Sequence, residues 1–221
     1  MRQAASPVWR AGYQADLPAR PMGTPPDPAD PQWKPLRQAW RVDGLESHFQ
    51  PGWARVRWNE TALLFDIVFV GRQPRNRARQ LNERTWELGD IAEIFLQQEG
   101  SPEYIELHVT PENQRLQLRW TPEGFAAFRA QAATLEDFTI GDARWIESAS
   151  QIGEKSWSVS ARLPAAALQP GSAGLSRSSA WRGAVCRYDC TAGPDVTYSS
   201  TAPLRELSYH RREEWDRLEL H

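Results

Sequence analysis

Apolar and polar residues alternate with a period of two over much of this chain, and that spacing predicts strands. In residues 104–110, Ile105, Leu107 and Val109 fall on one face, and Tyr104, Glu106 and His108 on the other. Residues 115–120 repeat the pattern, with Leu116, Leu118 and Trp120 opposing Arg115, Gln117 and Arg119. The polar turn from Pro111 to Gln114 lies between them, so the two runs read as a hairpin. Residues 156–163 alternate again, with Trp157, Val159, Ala161 and Leu163 inward. Residues 62–70 are instead apolar on both faces, the mark of a central, covered strand. With residues 54–58 they predict a second hairpin across Asn59, Glu60 and Thr61. Asp66 is the one charge in that strand, and a buried carboxylate needs a partner or a cleft.

Further strands are predicted over 90–97, 144–150 and 181–189, and at the C-terminus after a polar turn beginning at Tyr209. Helical signals are few: a turn in 35–40, an Ala-rich excursion in 122–133, and one turn in 164–168 that starts at proline. Pro18, Pro21, Pro25, Pro26, Pro28, Pro31 and Pro35 exclude a helix near the N-terminus. Residues 1–35 therefore read as an extended arm packed on a domain of residues 36–221. Many short strands with turn signals between them predict an all-β, two-sheet antiparallel β-sandwich, jelly-roll-like, with short helical turns. A chain of 221 residues suits one such domain.

A net charge of −2 gives no electrostatic basis for a nucleic-acid partner or an anionic membrane. No run approaches the ~18 apolar residues of a membrane span, and the first residues carry no signal-peptide apolar region. Arg72, Arg75, Arg77 and Arg79 read as a solvated charge run. Cys186 and Cys190, if on one extended strand, sit about 13 Å apart, beyond disulfide reach, and are too few for a structural zinc site. They read as buried free thiols. The outlier is tryptophan, eleven residues against five tyrosines. Most suit a core and the rest a surface site.

Catalytic motifs are missing from the sequence. His48, His108, His210 and His221 show no HExxH spacing, and there is no Gly-x-Ser-x-Gly elbow. Glu93 and Glu106 fall on neighbouring predicted strands, where a carboxylate pair is commonly surface charge rather than a glycosidase site. The chain is expected not to be an enzyme.

Four segments together resemble the family-nine-like carbohydrate-binding modules of the wider DOMON-like sandwich group. They are Asp30, Pro31, Gln32 and Trp33 after the proline-rich lead-in; residues 63–69; residues 89–96, similar to the family's Asp-x-x-Glu-apolar-Phe strand, followed by Tyr104 and Glu106; and residues 181–189 with the ending 209–218. The resemblance spans roughly residues 27–220 and implies a β-sandwich that grips a saccharide between two tryptophans, with carboxylate, amide and basic side chains on the hydroxyls. Some members hold structural calcium, which this sequence neither requires nor excludes; no other cofactor is expected. Cys186 and the Arg211, Arg212 pair depart from the family pattern.

The expected site places Trp86 and Trp181 as aromatic walls, and Asp90, Glu93 and Arg187 as polar partners for the sugar rim. Competing structural readings are that Trp86 caps the core, that Trp181 fills it, and that Glu93 and Arg187 form a buried ion pair. Two alternatives to saccharide binding remain open. One is a haem-binding domain, for which His108 and His210 are the available ligands because the methionines, Met1 and Met22, fall in the arm. The other is a structural interaction domain with no small ligand.

Overall fold

The computed structural model describes residues 7–21, 25–169, 174–191 and 193–221. Its strands are Val8–Tyr13 (β1), Lys34–Pro35 (β2), Gly52–Asn59 (β3), Ala62–Val70 (β4), Ile91–Gln98 (β5), Tyr104–Val109 (β6) and Arg115–Trp120 (β7). After helix Pro122–Arg129 (α1) come Glu147–Ile152 (β8), Ser156–Pro164 (β9), helix Ala165–Leu168 (α2), Ala180–Asp189 (β10), Thr197–Ser200 (β11) and Asp216–Leu220 (β12).

The strands form two layers. In the first, β7, β6, β5 and β10 run side by side, and β12 and β11 share the far edge of β10. In the second, β3, β4, β9 and β8 follow one another, with β2 at the edge of β3. Strand β1 joins the layers: Val8 to Ala11 pair with β12, then Gly12 and Tyr13 pair with β3. Both of its pairings are parallel, so the sandwich is not wholly antiparallel. This strand lies inside the segment that the prolines mark as an arm.

Between the layers lies an apolar core. Strand β4 sends Leu63, Phe65, Ile67 and Phe69 into it, where they meet Ile94 and Leu96 of β5, Ile105 and Leu107 of β6, and Trp157 and Val159 of β9. The opposite face of β4 is covered too, since Leu17 packs on Ala62 and Leu64. That double cover is why residues 62–70 carry almost no polar residue. Asp66 has the partners its position demands: Arg55 at 2.9 Å, Arg57 at 2.7 Å and the Ser160 hydroxyl at 3.1 Å. Residues 35–40, where a helical turn is expected, are instead tied to strands, Leu36 N–H donating to Gly52 O and Arg37 N–H to Ser200 O.

The outer face of the first layer departs from the alternation argument. Register places Glu93 opposite His108 and His108 opposite Leu116; Phe95 faces Glu106 and Glu106 faces Leu118. All six share one face, and all are buried. Leu116, Leu118 and Trp120 therefore turn away from the inter-layer core, into a second apolar cluster with Phe95, Tyr104, Leu135, Leu204, Tyr209 and Trp215. Two segments roof this face. One is α1, begun by Pro122 and capped by the Thr121 hydroxyl accepting from Gly124 N–H; it brings Phe125 and Phe128 over Trp120 at 5.3 Å. The other is the stretch 201–215.

Arg72, Arg75, Arg77 and Arg79 are exposed. Both cysteines are free; Cys186 is buried and Cys190 half-buried. Among the described residues no helix is long and apolar enough to cross a membrane.

Candidate functional site

Between the roof and the outer face of the first layer opens a cavity of about 730 Å³. Strand parity decides what lines it. On β5, Glu93 and Phe95 point outward, and on β6, Glu106 and His108 do the same. On β10 the outward residues are the even ones, Cys186 facing Glu93 and Tyr188 facing Ile91. Tyr188 lines the cavity, with Tyr198 of β11 packed edge-on against it at 4.7 Å. Trp86 comes from the 3-10 turn Thr85–Glu87, its indole edge-on to the His108 ring at 5.9 Å. Trp120, Phe125 and His210 close the far side, with Phe125 stacked on His210 at 4.1 Å.

The turn that carries Trp86 is anchored from behind. Gly89 has φ +144°, and a Cβ there would fall 2.2 Å from Arg75 O, so only glycine lets the chain pass. Asp90 follows, its carboxylate accepting from the backbone N–H of Arg75 at 2.9 Å and of Cys190 at 3.0 Å.

The floor is a polar cluster in an aromatic frame. His108 Nε2 lies 2.8 Å from Glu106 Oε1 and 3.2 Å from Glu93 Oε1. Its other nitrogen, Nδ1, shares a hydrogen bond of 2.8 Å with the Thr85 hydroxyl. Trp120 Nε1 donates to Glu106 Oε2 at 2.7 Å, and His210 Nδ1 shares a 2.8 Å bond with the Tyr104 hydroxyl. Burial pushes Glu93 up to about 8, against the pull of His108. In Glu106 the upward push of burial is outweighed by the His108 bond, the nearby histidine charges and the Trp120 donor, so it falls below the usual carboxylate range. Burial draws His108 down, but the two carboxylates prevail and hold it above its ordinary value. His210 is lowered, chiefly by burial. The floor thus offers both donors and acceptors to a polyhydroxylated ligand.

Of the five residues expected to form the site, the structure brings two into this cavity, Trp86 and Glu93. Trp181 is 1% exposed and sits in the inter-layer core. It occupies an odd position of β10, the side facing the second layer, and offers no face to a ligand. Arg187 has the same parity: it pairs with Asp189 at 2.7 Å and lies over the Phe69 ring at 4.8 Å. The ion pair weighed between Glu93 and Arg187 does not form, because the two leave opposite faces of the layer. Asp90 is fully buried and serves backbone amides. In their place stand Glu106, His108, Trp120, Tyr188, Tyr198 and His210. The signal for the first two was present in the alternation of residues 104–108.

No protein-family model matches the chain, and no curated protein matches it. Solved structures do. A candidate carbohydrate-binding protein from Bacteroides uniformis superposes with a TM-score of 0.75 at 14% identity, over 98% of this chain and 100% of that one. A family 9 carbohydrate-binding module from Caldicellulosiruptor kristjanssonii in complex with glucose gives 0.61 at 11% identity, over 97% and 95% of the two chains. The same module with cellotriose gives 0.61 at 11%, over 96% and 93%. Over nearly its whole length, this chain has the β-sandwich fold of the family 9 carbohydrate-binding modules.

Proposed function

We propose that this protein is a non-catalytic saccharide-binding module whose ligand enters the cavity on the outer face of the first layer. The observation that carries the reading is the cavity's lining. Flat aromatic rings, Trp86, Tyr188 and Tyr198, stand at its sides, and a cluster of hydrogen-bonding groups, Glu93, Glu106 and His108, forms its floor. A pyranose has an apolar C–H face that indole and phenol rings cover, and hydroxyls that carboxyl and imidazole groups satisfy. The volume of about 730 Å³ falls within the range of about 300–1,000 Å³ usual for small-ligand sites. Glucose and cello-oligosaccharides are the first ligands to try, because a module of this fold holds glucose and cellotriose.

In this reading Trp86 serves as an aromatic wall and Glu93 as a polar partner, a reading supported by their place in the cavity lining. Both carboxylates turn toward the same imidazole nitrogen. That arrangement suits recognition better than glycoside hydrolysis, where two carboxyl groups flank the scissile bond. The haem alternative has less support, since His108 Nε2 faces two carboxylates; Met1 and Met22 lie outside the described residues. Binding is expected to be worth about 4–8 kcal/mol, since hydroxyls and floor must shed water before they pair.

A fluorescence titration with mono- and oligosaccharides tests the proposal. Saturable change in tryptophan emission with at least one sugar, weakened in Trp86→Ala, is the expected result. A flat response to every sugar would leave the interaction-domain alternative ahead.

A further inference from the structure

We propose that Glu93, Glu106 and His108 form a binding site for a single divalent transition ion of the zinc or manganese class, at the floor of the cavity. One ligand atom from each residue comes together within 4.8 Å of the others, and all three residues are buried. Two edges of that triangle, from His108 Nε2 to Glu106 and to Glu93, are 2.8 and 3.2 Å. Ligand atoms about 2.0–2.2 Å from one ion stand about 3 Å apart, so these two edges already have the length of a coordination edge.

The surroundings fit the same ion. Thr85 Oγ1 is placed to accept the Nδ1–H of His108, the tautomer that leaves Nε2 free to ligate. Trp120 Nε1 holds Glu106 Oε2, turning Oε1 toward the cluster. These are the outer contacts that orient ligands in metal centres. An independent observation concerns the second oxygen of Glu93. Oε2 is buried and has no hydrogen-bond partner among the described residues, an arrangement that costs free energy unless something meets it. A cation accounts for that oxygen, as Glu93 can then ligate through both.

The chemistry of the donors selects the class. Two carboxylates balance the charge of a divalent ion, and an imidazole favours first-row transition metals over calcium, which prefers six to eight oxygens. Among the described residues, the ion pairs of Glu93 and Glu106 are to histidines alone, with no lysine or arginine already neutralising them. Three protein ligands leave coordination positions open toward the cavity, where water or ligand hydroxyls complete the shell.

The site is tested without any saccharide, so its failure and that of the saccharide reading are distinguishable. The full chain, stripped by EDTA and desalted, is titrated calorimetrically with Zn²⁺, Mn²⁺ and Ca²⁺, and with Co²⁺ followed by visible absorbance. Expected are one Zn²⁺ or Mn²⁺ per chain and Co²⁺ bands, with affinity about 100-fold lower in Glu93→Gln and His108→Gln. Thermal melts report whether each variant folds, and the Co²⁺ spectrum of the wild-type chain needs no variant. Absence of stoichiometric Zn²⁺ and Mn²⁺ binding, binding of Ca²⁺ alone, or affinity unchanged in folded variants overturns the proposal.

Discussion

Trp86 lines the cavity from a turn held by Gly89 and Asp90, so truncating it removes an aromatic wall and leaves the strands behind it in place. Trp86→Ala is expected to weaken saccharide binding about 3- to 10-fold, the worth of one aromatic stacking contact, with little change in melting temperature. Trp181→Ala should do the reverse. Its indole lies in the inter-layer core, and its loss costs about 3–5 kcal/mol of stability, read in urea denaturation. Equal loss of sugar affinity in the two variants, once both are shown to be folded, would mean that the ligand sits elsewhere. Asp216 supplies a pH test. Burial pushes it up to about 6, well above the ordinary aspartate value, against the pull of Lys34. The folded chain therefore holds this proton more tightly than the unfolded one. Its contribution is full below about pH 4 and is lost as pH rises through about 6. Asp216→Asn removes that titration, so its melting temperature relative to wild type should climb between pH 4 and 7. A constant difference across that window would count against it.

At the scale of elements, β1 matters most for integrity. It is a strand that pairs with both layers, and it brings Trp9 into the core beside Phe65 at 6.3 Å. Deleting residues 1–13 removes both, and the loss of Trp9 alone is worth about 3–5 kcal/mol. A drop of ten degrees or more in the circular-dichroism melt, or no cooperative transition, is expected. An unchanged melt would show that the layers hold without it. The proline-rich composition around β1 hid this strand, because its partners are remote in sequence: β12 at the other terminus and β3. The β3–β4 and β6–β7 hairpins were legible, since period-two alternation and short polar turns are local signals. What alternation cannot disclose is which face of a strand meets which layer. In β6 the face of Tyr104, Glu106 and His108 looks solvent-bound, yet α1 and residues 201–215 roof it. In β10 a shift of one position separates the core residue Trp181 and the buried ion pair of Arg187 from cavity-lining Tyr188.

As a whole, the molecule divides its labour between two sides of one layer. The inner face packs against the second layer and supplies stability; the outer face, roofed by α1 and residues 201–215, encloses polar groups that a simple core would exclude. Seven of the eleven tryptophans are buried, so the aromatic excess goes mostly into packing, and few indoles remain for a ligand. Similarity to the solved structures, at 11% and 14% identity, extends to the fold. The most direct test of the account is a two-dimensional NMR titration of the indole N–H signals with cellotriose. The signals of Trp86 and Trp120, which line the cavity, should shift with saturation, while those of Trp157 and Trp181 stay fixed. Shifts confined to the core indoles, or none at any saccharide concentration, would contradict it.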